Sequence, residues 1–168
     1  MAQRTDTLDL SRYARSSGEG RRLELDVGLP ELRYGATTYT PSQPIQPARV
    51  EISRTAAGYA LRLSFAAGLE GECMRCLGSA RIDVDVDARE VDQRGADDDD
   101  LRSPYVDGDE LDLAGWARDA LVLALPAQLV CSPGCKGLCP ECGERLGEHA
   151  HDHPAAPDPR WAKLRELG

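Results

Sequence analysis

Two stretches of the chain alternate apolar and polar residues with little interruption. Val50 and Ile52 are separated by Glu51 and followed by Ser53, and Tyr59, Leu61, Leu63 and Phe65 share one side against Arg62 and Ser64. A period of two is that of a strand with one face buried. Ala57-Gly58 between the two runs predicts a turn. The second run continues through Leu69 to Cys73. After Cys73-Met74-Arg75-Cys76 the alternation resumes, with Ile82, Val84, Val86 and Ala88 set against Arg81, Asp83, Asp85 and Asp87. The pair of cysteines therefore stands where a hairpin connection belongs. Earlier, Leu23, Leu25 and Val27 alternate with Glu24 and Asp26 and predict another half-buried strand.

Other segments obey different rules. Residues 9–15 have the makings of a short helix, ended by Ser16-Ser17-Gly18-Glu19-Gly20. Residues 28–47 are expected to be irregular, because Pro41, Pro44 and Pro47 lack the N–H that a ladder requires. Tyr34 and Tyr39 are expected to pin this segment to the core. Downstream, Val106-Asp107-Gly108-Asp109 predicts a turn. Leu113, Trp116, Ala117, Ala120, Leu121 and Ala124 recur at helical spacing, Asp112 is placed to cap, and Pro126 to stop. The spacing predicts one helix over 113–125 whose apolar side is core. A short amphipathic tail closes the chain over 161–167. The fold class expected is α+β: an antiparallel sheet of three or four strands with one main helix, occupying 1–130, and a C-terminal cysteine- and histidine-rich metal segment over 131–168.

Charge refines this picture at one place. The 168 residues carry a net charge of −9, yet residues 83–112 hold thirteen acids and three arginines, so the rest of the chain is nearly balanced. The acidity centres on Asp97-Asp98-Asp99-Asp100, within a loop expected over 92–104. Blocks of like charge are ordinarily solvated. The sharper alternative is a docking surface for a basic partner such as a ribosomal protein. Generic nucleic-acid binding is not expected, because it needs a basic stripe. No apolar run approaches the ~20 residues that span a bilayer, and the first residues lack the apolar stretch of a secretory signal. The expected compartment is the cytoplasm, where thiols stay reduced and clustered cysteines serve as metal ligands.

The cysteines are clustered. Cys131, Cys135, Cys139 and Cys142 lie within a dozen residues, and Cys73 and Cys76 make up the six; His149, His151 and His153 are the only histidines. Thiolate and imidazole donors two or three residues apart suit a tetrahedral zinc ion. In Cys139-Pro140-Glu141-Cys142-Gly143 the proline presets φ, and the glycine permits a left-handed backbone just after the second ligand. Setting His149 aside as a spare, eight donors remain, the number for two tetrahedral ions. One division gives Cys131, Cys135, Cys139 and Cys142 to a single ion and leaves Cys73 and Cys76 over. The other joins Cys73 and Cys76 to Cys131 and Cys135, and Cys139 and Cys142 to His151 and His153. The second is preferred because it leaves no exposed thiol to oxidise, although the histidines could also be a solvated tail. A redox Cys-x-x-Cys usually opens a helix in a βαβ setting, which is absent here. No nucleophilic triad, carboxylate pair or phosphate loop is evident, and ions with four protein ligands are structural, so no catalytic residue is expected.

Several of these pieces together resemble the bacterial YceD family, the large ribosomal RNA subunit accumulation proteins. They are Cys73-Met74-Arg75-Cys76-Leu77, the run from Gly108 to Leu113, Leu123-Ala124-Leu125-Pro126, the stretch from Cys131 to Gly143, and the terminal Asp158-Pro159-Arg160-Trp161 with the residues after it. The family's frequent terminal Cys-x-Cys falls here on His151-Asp152-His153, a chemically conservative change. The resemblance implies a non-enzymatic role in large-subunit ribosomal RNA accumulation and ribosome assembly. It implies a ribosomal protein, an rRNA maturation factor or precursor rRNA as partner. The competing reading is a zinc-dependent hydrolase or nuclease acting in rRNA maturation.

Overall fold

The structure is a computed structural model, and it describes residues 4–35, 37–95, 101–147 and 153. The elements, in order, are β1 (Thr7–Asp9), a 3-10 turn (Leu10–Arg12), β2 (Gly20–Gly28), β3 (Leu32–Tyr34), β4 (Thr37–Pro41), β5 (Ile45–Arg54), β6 (Gly58–Glu72), β7 (Ser79–Gln93), β8 (Val106–Asp107), β9 (Glu110–Asp112) and α1 (Leu113–Ala124). It is an α+β arrangement dominated by antiparallel sheet, with one helix among the described residues.

The alternation that marks β6 and β7 has its physical counterpart in the packing. β6 is paired along its whole length with β7, from Gly58 opposite Gln93 to Glu72 opposite Ser79. On its other side β6 pairs first with β5 and then with β4, so the sheet runs β2-β5-β6-β4-β3 with β7 along the far edge. Tyr59, Leu61, Leu63, Phe65, Ala67 and Leu69 are all buried, and so are Val50 and Ile52 of β5 and Val84 and Val86 of β7. The helix closes this face with Leu113, Trp116, Ala117, Ala120 and Leu121. Each buried Leu, Ile, Val or Phe side chain among these contributes roughly 1.5–3 kcal/mol, and each alanine less. Asp112 caps the helix as expected, its carboxylate accepting from the Gly115 N–H at 2.9 Å.

A second, three-stranded sheet has the order β1-β9-β8. Leu8 stands opposite Leu111, and this pairing delivers the chain into α1. It also explains why 9–15 is not a helix. Thr7–Asp9 is drawn into the ladder, and only Leu10–Arg12 forms a 3-10 turn, with Asp9 accepting from the Ser11 N–H. The β8–β9 turn is tied to the main sheet by the Tyr59 hydroxyl, which donates to Asp109, while Arg54 stacks 4.4 Å from the Tyr59 ring centre. The Tyr59 hydrogen bond, aided by Arg94 and Arg54, holds Asp109 below the usual carboxylate range. A lowered folded-state pKa adds stability above the unfolded value, and that stability is lost as pH falls.

The prolines do not keep 28–47 irregular. β3 and β4 form a hairpin, with Leu32 opposite Tyr39, and β5 begins at Ile45 and includes Pro47. Pro47 is tolerated because β5 meets β6 only from Arg49 onward, so residues 45–48 have one edge without a ladder that would require an N–H. Tyr39 is buried, as anticipated; Tyr34 has no described side chain. The expected acidic loop also starts later than 92, since β7 continues to Gln93. Residues 96–100, which include the run of four aspartates, lie outside the described residues. No helix among the described residues is long and apolar enough to cross a membrane.

Trp116 fills the space between helix and sheet at 1% exposure. Trp116→Ala is expected to cost about 3–5 kcal/mol, read as a lowered urea midpoint with circular dichroism still native below the transition.

Candidate metal centre

The turn between β6 and β7 is built around its cysteines. The Cys73 N–H donates to Gly78 O at 2.7 Å and the Leu77 N–H to Cys73 O at 2.9 Å. The chain reverses at Leu77, whose φ of 57° is the one left-handed non-glycine value among the described residues. Such a conformation is unusual for leucine and persists only where surroundings fix it. Met74 donates its N–H to Leu129 O, and Arg75 donates from Nη1 to Cys135 O at 3.1 Å. These two bonds bring the segment after α1 alongside the turn.

The result is a group of four sulfurs. Cys73 Sγ lies 3.8 Å from Cys135 Sγ, and Cys76 Sγ lies 3.7 Å from Cys131 Sγ. All four sulfur atoms lie within 4.8 Å of one another. A disulfide would be about 2.05 Å. A tetrahedral ion with metal–sulfur bonds of about 2.3 Å sets its ligands about 3.8 Å apart, which is the spacing of the two close pairs. Cys73 and Cys76 are buried, Cys135 is half-buried and Cys131 is exposed.

The electrostatics of the group favour a cation. Burial works to raise the Cys73 thiol, but backbone N–H groups of Cys131, Cys76 and Arg75 outweigh it and hold the thiol at about 6. Cys131 moves the other way. Its hydrogen bonds to the Cys135 and Cys76 sulfurs, with burial added, push it up to about 12. The group thus holds the Cys73 thiol low and the Cys131 thiol high, and a bound cation is what would allow four clustered sulfurs to act as thiolates together.

The second group lies in a small knuckle. Leu138 and Arg145 form an isolated antiparallel bridge. The Cys139 N–H donates to Glu144 O at 2.7 Å and the Gly143 N–H to Cys139 O at 2.9 Å. Gly143 takes the left-handed conformation, φ 74°, that the motif anticipates. Ligand atoms of Cys139, Cys142 and His153 lie within 4.8 Å of one another. His153 Nδ1 is 3.4 Å from the Glu141 carboxylate, a kind of contact that orients a ligating imidazole. The Glu144 N–H works to lower Cys142, but burial and the adjacent Cys139 prevail and the thiol is raised. His149 and His151 fall outside the described residues. The structure thus gathers Cys73, Cys76, Cys131 and Cys135, and separately Cys139, Cys142 and His153. Both groups could hold a metal ion.

Sequence reasoning missed how the two groups meet. A Cβ on Gly78 would stand 1.8 Å from Arg145 Nη2, and one on Gly137 would stand 3.1 Å from Arg75 O. The knuckle is therefore packed directly on the Cys73–Cys76 turn. Glycine at both positions was the available signal, but nothing in the chain told which partner each would face.

A model described as "Large ribosomal RNA subunit accumulation protein YceD" matches residues 61–168. The match starts within β6 and takes in both groups. An uncharacterized protein of Mycobacterium bovis is 33% identical over 171 residues, covering 96% of this chain and 80% of its own length. One from Mycobacterium tuberculosis has the same identity and coverage. One from Mycobacterium leprae is 34% identical over 103 residues, 57% of this chain and 46% of its own. No solved structure matches the chain.

The two groups should respond differently to mutation. Cys76→Ser is expected to release one metal and lower global stability, because that group ties together segments far apart in sequence. Cys142→Ser is expected to release the other metal while urea unfolding of the sheet is unchanged. Elemental analysis and urea unfolding of both variants check this.

Proposed function

The chain belongs to the YceD family of large ribosomal RNA subunit accumulation proteins, and from that premise we propose that it is a non-enzymatic factor supporting the accumulation of large-subunit ribosomal RNA during ribosome assembly. In this reading two zinc ions hold its shape. Cys73, Cys76, Cys131 and Cys135 carry one, and Cys139, Cys142, His151 and His153 carry the other. Residues 1–130 form the body and 131–168 a metal-bound segment. The observation that carries the reading is the four-sulfur group. Its spacing suits an ion whose coordination is filled by protein, and such ions stabilise folds rather than activate water. The partner is a ribosomal protein, an rRNA maturation factor or precursor rRNA. The reading locates the chain in the cytoplasm, where its thiols stay reduced.

One observation favours a second reading. The knuckle group has three described donors with the Glu141 carboxylate beside it. Three protein ligands, an open position and a nearby carboxylate are the equipment of a zinc-dependent hydrolase or nuclease. The two readings separate on His151. If it is a ligand, His151→Ala releases zinc; if the position is open to water, His151→Ala leaves zinc bound and the purified chain cleaves precursor rRNA.

Depleting the protein is expected to lower mature large-subunit rRNA relative to small-subunit rRNA, and Cys76→Ser should fail to restore it. The purified, reduced chain is expected to carry about two zinc ions. An unchanged rRNA ratio would remove the functional reading. Zinc content below about half an ion per chain would remove the structural one.

A further inference from the structure

Among the described residues, β7 is the longest strand with an open edge. All of its fifteen residues pair with β6 on one side, and among the described residues no strand pairs with the other. Such an edge presents alternate N–H and C=O groups to whatever lies beside it. Beside it is a groove of about 420 Å³ between the strand and α1, lined by residues 85–90, Tyr105, Trp116, Ala120 and Leu123. Leu123 is 85% exposed, the most exposed large apolar side chain described.

The charges at this edge choose among occupants. Asp83, Asp85 and Asp87 project from the solvent face of β7, and Glu90 is half-buried in the groove. Asp87 is already bonded to Arg62 through both oxygens and Asp83 to Arg81, which leaves Asp85 and Glu90 as the acids at this edge with no ion pair to a base among the described residues, and Arg89 is the one base lining the groove. A second copy of β7 would set these aspartates near their own counterparts, which like-charge repulsion across a ladder opposes. Phosphate is repelled for the same reason.

We propose that the β7 edge and the groove beneath it are a docking site for an extended, basic segment of a partner protein, added to the sheet as a further strand. Its backbone completes the ladder on residues 84–90. On one face its basic side chains stand across from Asp85 and Asp87. On the other its apolar side chains enter the groove against Leu123 and Trp116. This assignment rests on the sheet edge and not on the metal groups, so it stands or falls separately from the reading above.

The test uses the full chain and a fluorescent seven-residue probe, Lys-Val-Lys-Val-Lys-Val-Lys, blocked at both ends. Fluorescence anisotropy measures binding, and amide exchange locates it. The probe is expected to bind and to slow exchange at alternate amides within 84–90. A Lys-Gly-Lys-Gly-Lys-Gly-Lys probe of equal charge should bind at least tenfold more weakly. Asp85→Lys and Leu123→Asp, both at exposed positions, should each weaken the Lys-Val probe at least tenfold, and Glu31→Lys beside β3 should not. Absence of binding would overturn the proposal. So would equal affinity for the two probes, which would reduce the contact to charge attraction, or protection confined to another part of the chain.

Discussion

Four sulfur atoms from two distant segments, held 3.7–3.8 Å apart within each close pair, are the constraint on which the far end of this molecule depends. Left to themselves they are at odds. The N–H groups around Cys73 favour its thiolate, while the Cys135 and Cys76 sulfurs push the Cys131 thiol up to about 12. A divalent ion on these sulfurs would settle the conflict by taking the place of the protons, and the energy of binding it would become energy of folding. The sheet and helix have a core of their own. The segment after α1 has little: past residue 126 only Leu129, Gly137 and Cys139 are buried among the described residues. Its position is set by the Met74 and Arg75 hydrogen bonds and by the sulfurs.

This clamp imposes a hierarchy on the molecule. The Cys73–Cys76 turn fixes Leu129 through Cys135, and the knuckle then seats on the turn through Gly78 and Gly137. The knuckle closes only a short stretch of chain and adds little constraint to the sheet. The β7 edge, with its row of aspartates, lies outside this system and is formed by the sheet alone. The four-sulfur group and the proposed docking edge are thereby distinct places in the fold, although β7 begins immediately after the cysteine turn.

The parts legible in the sequence were those decided by local periodicity. β6 and β7 alternate along most of their length, and α1 carries its own cap in Asp112 and a stop in Pro126. The proximity of Cys73 and Cys76 to Cys131 and Cys135 was also within reach, because a turn with two thiols at the end of a strand needs partners from elsewhere. The misjudged parts depend on distant residues. Pro47 sits in a strand because β5 lacks a β6 neighbour at that point, which no local pattern reveals. Thr7–Asp9 becomes a strand because Leu111 waits opposite Leu8. Leu77 takes a left-handed backbone because a closed thiol turn leaves it nowhere else to go.

The most direct test of the clamp is amide hydrogen exchange in the intact chain before and after removal of metal by a chelator. Protection is predicted to fall together at Met74, Leu77 and Cys135, whose N–H groups bond within or beside the four-sulfur group, while the central amides of β5 and β6 stay protected. Protection at those three unchanged by the chelator would contradict the claim that a metal on the four sulfurs joins the post-helix segment to the sheet.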